Sequence, residues 1–201
     1  IGEFIRDVDQ DGIHLHDGLW SSLMGGSLSA ALPWWWDNYI HPKQLDLHYR
    51  PLARFWRGEQ LNEPLSRIAM TASDADVLGC ASGTSTQAYL WVKNRTHNVD
   101  QYLAYRCELA KRRLQAERRQ PTAGAAPSYP PRVVSGATLT LAGLKGHGRY
   151  RLEWWDTYRG RVLRTDVVPA ARGRGVLRVP DLAFGVAAQL VRRHPASPGA
   201  G

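Results

Sequence analysis

Apolar residues at Leu15, Leu19, Trp20, Leu23 and Met24 fall at helical spacing. They predict a helix over residues 14–24, stopped by Gly25 and Gly26. A second helix is predicted over residues 42–56, with Leu45, Tyr49, Leu52, Ala53 and Trp56 on one face and Gly58 at its end. Residues 1–5 and 27–36 are apolar and read as buried strands. Strand alternating with helix over residues 1–60 predicts parallel β/α architecture. Two such units are far too few to close a barrel, which takes about 250 residues.

The period changes after residue 60. Residues 68–71, 77–81 and 87–92 read as short strands punctuated by Gly79, Gly83 and Asn94. Residues 98–131 interrupt them with a basic helix over 99–119 and a flexible loop holding four prolines over 121–131. Strands resume at 138–141, followed by a turn at Lys145 to Gly148. A hairpin then pairs 150–155 with 161–168 around Tyr158, Arg159 and Gly160, and strands at 176–179 and 186–191 come last. This spacing predicts an antiparallel β-sandwich over 61–193 with an insertion at 98–131. Residues 194–201 read as a disordered tail. The expected fold class is α/β plus all-β: a β/α domain over 1–60, then the sandwich.

Composition narrows the function classes. Hydrophobic residues make up 43% of 201, enough for a packed core. No run of about 18 apolar residues is present, so no membrane span is expected. The net charge is +8, and only four of the 26 basic residues are lysines. Outside one cluster at 106–119 the arginines are scattered. Aromatic interleaving in that cluster is confined to Tyr102 and Tyr105, which argues against a nucleic-acid partner. Cys80 and Cys107 make no metal motif and read as buried or free thiols; the sequence does not decide whether they pair. Asp7, Asp9 and Asp11 resemble part of a calcium loop, but its later Glu ligand is missing, so the segment reads as a solvated turn. His14 and His16 stand two apart at a helix start, a spacing that favours capping or solvent over metal. No metal or cofactor is expected.

The chemistry-bearing residues are Glu3, in Ile1-Gly2-Glu3-Phe4, and the aromatic run Trp34-Trp35-Trp36-Asp37. In an extended run Trp34 and Trp36 point one way and Trp35 the other. An indole offers a flat apolar face to the C–H face of a sugar ring, and its N–H can donate. Gly2-Glu3-Phe4, then His16-Asp17-Gly18-Leu19-Trp20, then residues 31–37 resemble the end of the barrel of family 5-like, clan A retaining glycoside hydrolases. Residues 89–95 and 150–158 resemble the small β-sandwich that follows that barrel in some members. The resemblance implies the last two β/α units of a truncated (β/α)8 barrel. It implies Glu3 as the nucleophile and Trp36 as the floor of the sugar site. Trp34, Asp37 as hydroxyl partner and His16 near the rim complete the expected substrate contacts. It further implies a carbohydrate substrate, no cofactor, and an acid/base Glu upstream of residue 1. The sequence then reads as the C-terminal part of a hydrolase, inactive alone. A non-catalytic carbohydrate-binding or interaction module is the alternative. Asn62-Glu63-Pro64 mimics the clan's acid/base motif but follows a helix, so Glu63 is read as a connector residue.

Overall fold

The computed structural model describes residues 9–27, 29–31, 35–121, 124, 127–130, 132–144 and 148–192. Its centre is one antiparallel sheet of nine strands. In chain order they are β1 (Ser66–Arg67), β2 (Ala69–Ala72), β3 (Val77–Gly83), β4 (Gln87–Asn94), β5 (Thr138–Ala142), β6 (Gly148–Asp156), β7 (Arg161–Ala171), β8 (Arg174–Arg178) and β9 (Gly185–Arg192). The order across the sheet is β1-β3-β4-β9-β6-β7-β8-β5-β2. β1 and β2 are successive in the chain yet sit at opposite ends of that order. The sheet therefore curls until its ends meet. Ile68, between the two strands, donates its N–H to Ala81 of β3 at 2.9 Å, and β2 lies against β3. Near-closure leaves little unpaired edge, which protects the domain from edge-to-edge association.

Alternation along the strands fills the inside. Tyr150, Leu152 and Trp154 of β6, Leu90 and Val92 of β4, Leu139 and Leu141 of β5, and Ala188 and Leu190 of β9 form one buried cluster. The intervening residues Tyr89 and Trp91 of β4 and Ala187 of β9 point outward, yet they are buried too. They are covered by the helical segment: α1 (Ile13–Met24), a π-turn (Trp36–Ile40), a 3-10 turn (Leu45–His48) and α2 (Tyr49–Phe55). Leu15, Leu19, Trp20 and Met24 of α1 and Leu52 and Phe55 of α2 close this second cluster against the sheet. β4 is thus apolar on both faces because each has its own core to fill.

Several expectations are corrected. The fold is not the end of a (β/α)8 barrel followed by a sandwich. Among the described residues no parallel strand pair occurs, and every ladder is antiparallel. The TIM-barrel assignment fails with it: the helices lie on one outer face of the antiparallel sheet. The described part of residues 27–36 is not a strand. Ala31 N–H bonds back to Ser22 Oγ of α1 at 2.8 Å, and Trp36 opens the π-turn. The single helix expected over 42–56 is a 3-10 turn running into α2. The strand read at 1–5 and the tail at 194–201 lie outside the described residues. The remaining expected strands appear within a few residues of their predicted bounds. The basic helix appears as α3 (Val99–Glu117), capped by Asn98 Oδ1 accepting from Gln101 N–H at 3.0 Å. No described helix is long and apolar enough to cross a membrane.

Candidate functional site: an aromatic shelf above a histidine–tyrosine network

Asp9 organises the region. It is fully buried, at 0% exposure, not the solvated turn residue its neighbours suggested. One carboxylate oxygen accepts from Ile13 N–H at 2.9 Å; the other accepts from His14 N–H at 2.7 Å and from the Tyr39 hydroxyl at 3.0 Å. The first two are orphan donors of the first turn of α1, where a negative charge also meets the helix dipole. The residue directly before α1, Gly12, provides no side-chain cap, so Asp9 does that work from three residues further back. The third bond fixes Tyr39 in the π-turn. Burial and Asp9 together push the Tyr39 hydroxyl well above its usual titration range, so it stays a donor.

Anchoring Tyr39 presents the start of the same turn to solvent. Trp36 is 51% exposed, and its ring leans on Tyr49 with centroids 6.0 Å apart. Asp37 beside it is exposed. Trp35 turns the other way and packs on the helical core. The difference between Trp35 and Trp36 arises at the π-turn, not from the strand alternation expected. Glu3 and Trp34 lie outside the described residues. His16 is separated from this shelf in burial: it is 1% exposed and sits in the interior.

His16 belongs to a network the sequence did not announce. Its ring stacks on Tyr158 at 3.9 Å and 7°. Its Nδ1 lies 3.2 Å from Nδ1 of His48, whose Nε2 is 3.0 Å from the Asp11 carbonyl. A carbonyl only accepts, so neutral His48 carries its proton on Nε2 and accepts at Nδ1. His16 must then hold its proton on Nδ1, which leaves its buried Nε2 as an unpartnered acceptor. The same logic orders the other half. The Tyr129 hydroxyl donates to the Asn98 carbonyl at 3.4 Å and accepts from His97 Nδ1 at 2.7 Å. His97 Nε2 then accepts from the Tyr158 hydroxyl at 2.9 Å. With His97 neutral, its Nδ1 therefore donates and its Nε2 accepts.

Electrostatics agree. Burial holds His16 well below the ordinary histidine value, reinforced by His48, His97 and Lys93. Burial likewise lowers His48, against the opposing pull of the Asp11 carbonyl. It depresses His97 to about 4, with Lys93 adding to the effect. Tyr158 is pushed far up, by burial first and then by Asp17. Lys93 forms a half-buried ion pair with Asp17. Burial raises Asp17 even though Lys93 pulls the other way. The network's three histidines are buried, and it ties together α1, the 3-10 turn, the segment just after β4 and the β6–β7 turn. Its buried histidines position their neighbours and are not placed to meet a substrate.

Glu63 ties down a turn: its carboxylate accepts from the Ser85 N–H at 2.9 Å and from the Ser85 hydroxyl, in the β3–β4 hairpin. Cys80 and Cys107 are free thiols. Among the described residues no group of His, Cys, Asp and Glu is arranged to hold a metal ion. What sequence reading missed were Asp9 as cap and the partners His48, His97, Tyr129 and Tyr158. Their separations of 32 and 61 residues leave no periodic trace. No protein-family model matches this chain, and no curated protein matches it.

Proposed function

We propose that this chain serves a retaining glycoside hydrolase, with the Trp36 shelf binding the sugar and Glu3 acting as the nucleophile. The observation that carries the reading is the half-exposed Trp36, propped by Tyr49 and followed by the exposed Asp37, on a turn pinned through Tyr39 to buried Asp9. A rigid indole loses little entropy on binding and offers an apolar face to a pyranose. Asp37 can accept from sugar hydroxyls. The choice of Glu3 as the attacking carboxylate rests on the sequence likeness of residues 2–4 and 16–20 alone, since the antiparallel sheet is not that clan's barrel. A retaining mechanism needs a second carboxylate about 5–5.5 Å from the first. Glu63 is committed to Ser85, so another carboxylate has to fill that role.

The test is affinity electrophoresis and calorimetry of the chain with a glycan panel, beside a Trp36→Ala variant. Loss of the platform should weaken binding about tenfold, near 1.4 kcal/mol, with an unchanged circular dichroism spectrum. Unaltered affinity in that variant would overturn the shelf. In any form of the protein that hydrolyses aryl glycosides, Glu3→Gln should abolish turnover and keep sugar binding. Full activity of Glu3→Gln would leave the chain as a carbohydrate-binding module without a catalytic part.

A further inference from the structure

A second exposed aromatic stands in a groove that the Trp36 shelf does not use. The groove encloses about 450 Å³ between the β6–β7 turn and the segment leading into β9, within the usual size range of small-molecule sites. Phe184 lines it at 40% exposure. The back of its ring is held by His97, at 4.7 Å, and by Tyr158, at 5.7 Å edge-on. Its backbone is fixed as well. The Phe184 carbonyl accepts from Asn94 N–H at 2.7 Å, and the buried Asn94 amide donates to the carbonyls of Leu182 and Ala183 at 3.2 and 3.3 Å. A large apolar ring is thus locked in place by the interior network yet turned partly to water.

Two charged side chains share the groove. Asp181 is exposed and has no partner among the described residues. Arg159 is 70% exposed at its side chain and only loosely paired, 3.8 Å from Asp156. The Asp156 carboxylate is occupied in the turn, accepting from Tyr158 N–H and Arg159 N–H at 2.9 Å each. The charged residues lining the groove are thus Asp156, Asp181 and Arg159. A flat ring, one free acceptor group and a fork of donors suit a ligand with C–H faces and many hydroxyls.

We infer that this groove is a second saccharide subsite, with Phe184 as platform and Asp181 and Arg159 as hydroxyl partners for a neutral oligosaccharide. The inference rests on the carbohydrate reading above and extends it to longer chains. The turn that carries Arg159 touches α2, through Arg54 Nη1 donating to the Arg159 carbonyl at 3.2 Å. α2 also carries Tyr49, the prop of the Trp36 shelf, so both sites border the same helix.

The experiment is calorimetric titration of the whole chain with cello-, manno-, xylo- and laminari-oligosaccharides of two to six units. Wild type is compared with Phe184→Ala, Phe184→Leu, Asp181→Asn and Trp36→Ala. Both Phe184 variants and Asp181→Asn should each weaken the best-bound hexasaccharide five- to tenfold. Should Phe184→Ala fold poorly, the exposed Asp181→Asn decides. If the groove variants bind like wild type while Trp36→Ala is weak, the groove inference is overturned and the shelf stands. If Trp36→Ala is silent and the groove variants are weak, the shelf falls and the groove stands. If no oligosaccharide binds, both fall.

Discussion

Asp9 concentrates the logic of the site in one carboxylate. It holds two helix-end donors and one phenol, each a hydrogen bond to a charged group, worth about 1.5–3 kcal/mol. Asp9→Ala leaves two buried donors and one part-buried donor without an acceptor. We expect it to cost about 3 kcal/mol in urea unfolding, with Asp9→Asn recovering part of the loss. The same change frees Tyr39 and hence the turn that presents Trp36. Sugar affinity should therefore fall in Asp9→Ala although Asp9 is buried beneath the shelf. A variant as stable as wild type would contradict the capping role. Asp9 was illegible in the sequence for a physical reason. An aspartate between Asp7 and Asp11 looks solvated, and only the return of residue 39 to residue 9 shows that it is buried.

At the level of elements, the histidine network joins α1, the 3-10 turn, the segment after β4 and the β6–β7 turn, and its neutrality makes that joint acid-sensitive. His97 ordinarily titrates near 6.5 and is held at about 4 in the folded chain. Between those values the unfolded chain binds more protons, so stability rises with pH there. The contribution is full above pH 6.5, drains as pH falls toward 4, and amounts to roughly 3 kcal/mol for His97 alone. His16 and His48, also lowered, act in the same direction. Urea midpoints measured from pH 7.5 to 4 should drop steeply in wild type. The slope should be shallower in His97→Gln, which can bond to both tyrosines without taking up a proton. Equal slopes would mean the acid response arises elsewhere. Elements were legible where one face meets a core. β5, with buried Leu139 and Leu141 between half-buried neighbours, and β6, with Tyr150, Leu152 and Trp154, show their alternation in the sequence. The run over residues 27–36 misled because an apolar stretch has no period of its own. Ser22 holds Ala31 and Asp9 holds Tyr39, both from outside the run. With that strand lost, the parallel β/α reading lost its support.

For the whole molecule, the decisive feature is that the helices and the sheet share one apolar layer. Tyr89, Trp91 and Ala187 of the sheet are buried only because α1 and α2 cover them. Trp20 sits at the middle of that layer, fully buried, with its ring edge-on to Phe55 at 5.3 Å. The helices are short, and helices of that length have little stability in water without a packed face. Exposing the outer faces of β4 and β9 would in turn uncover large aromatic surface. Each layer therefore needs the other, and the described chain should unfold in one transition. Trp20→Ala tests this away from every proposed binding residue. Removing a buried tryptophan costs about 3–5 kcal/mol, which lowers the melting temperature of a domain this size by roughly 6–20 °C. The loss should appear in the sheet as much as in the helices. Near-ultraviolet and far-ultraviolet circular dichroism should shift together, and amide exchange in β5 and β8, on the other side of the sheet, should quicken. If α1 and α2 instead melted first and left the exchange of β5 and β8 untouched, the shared layer would not couple the two parts.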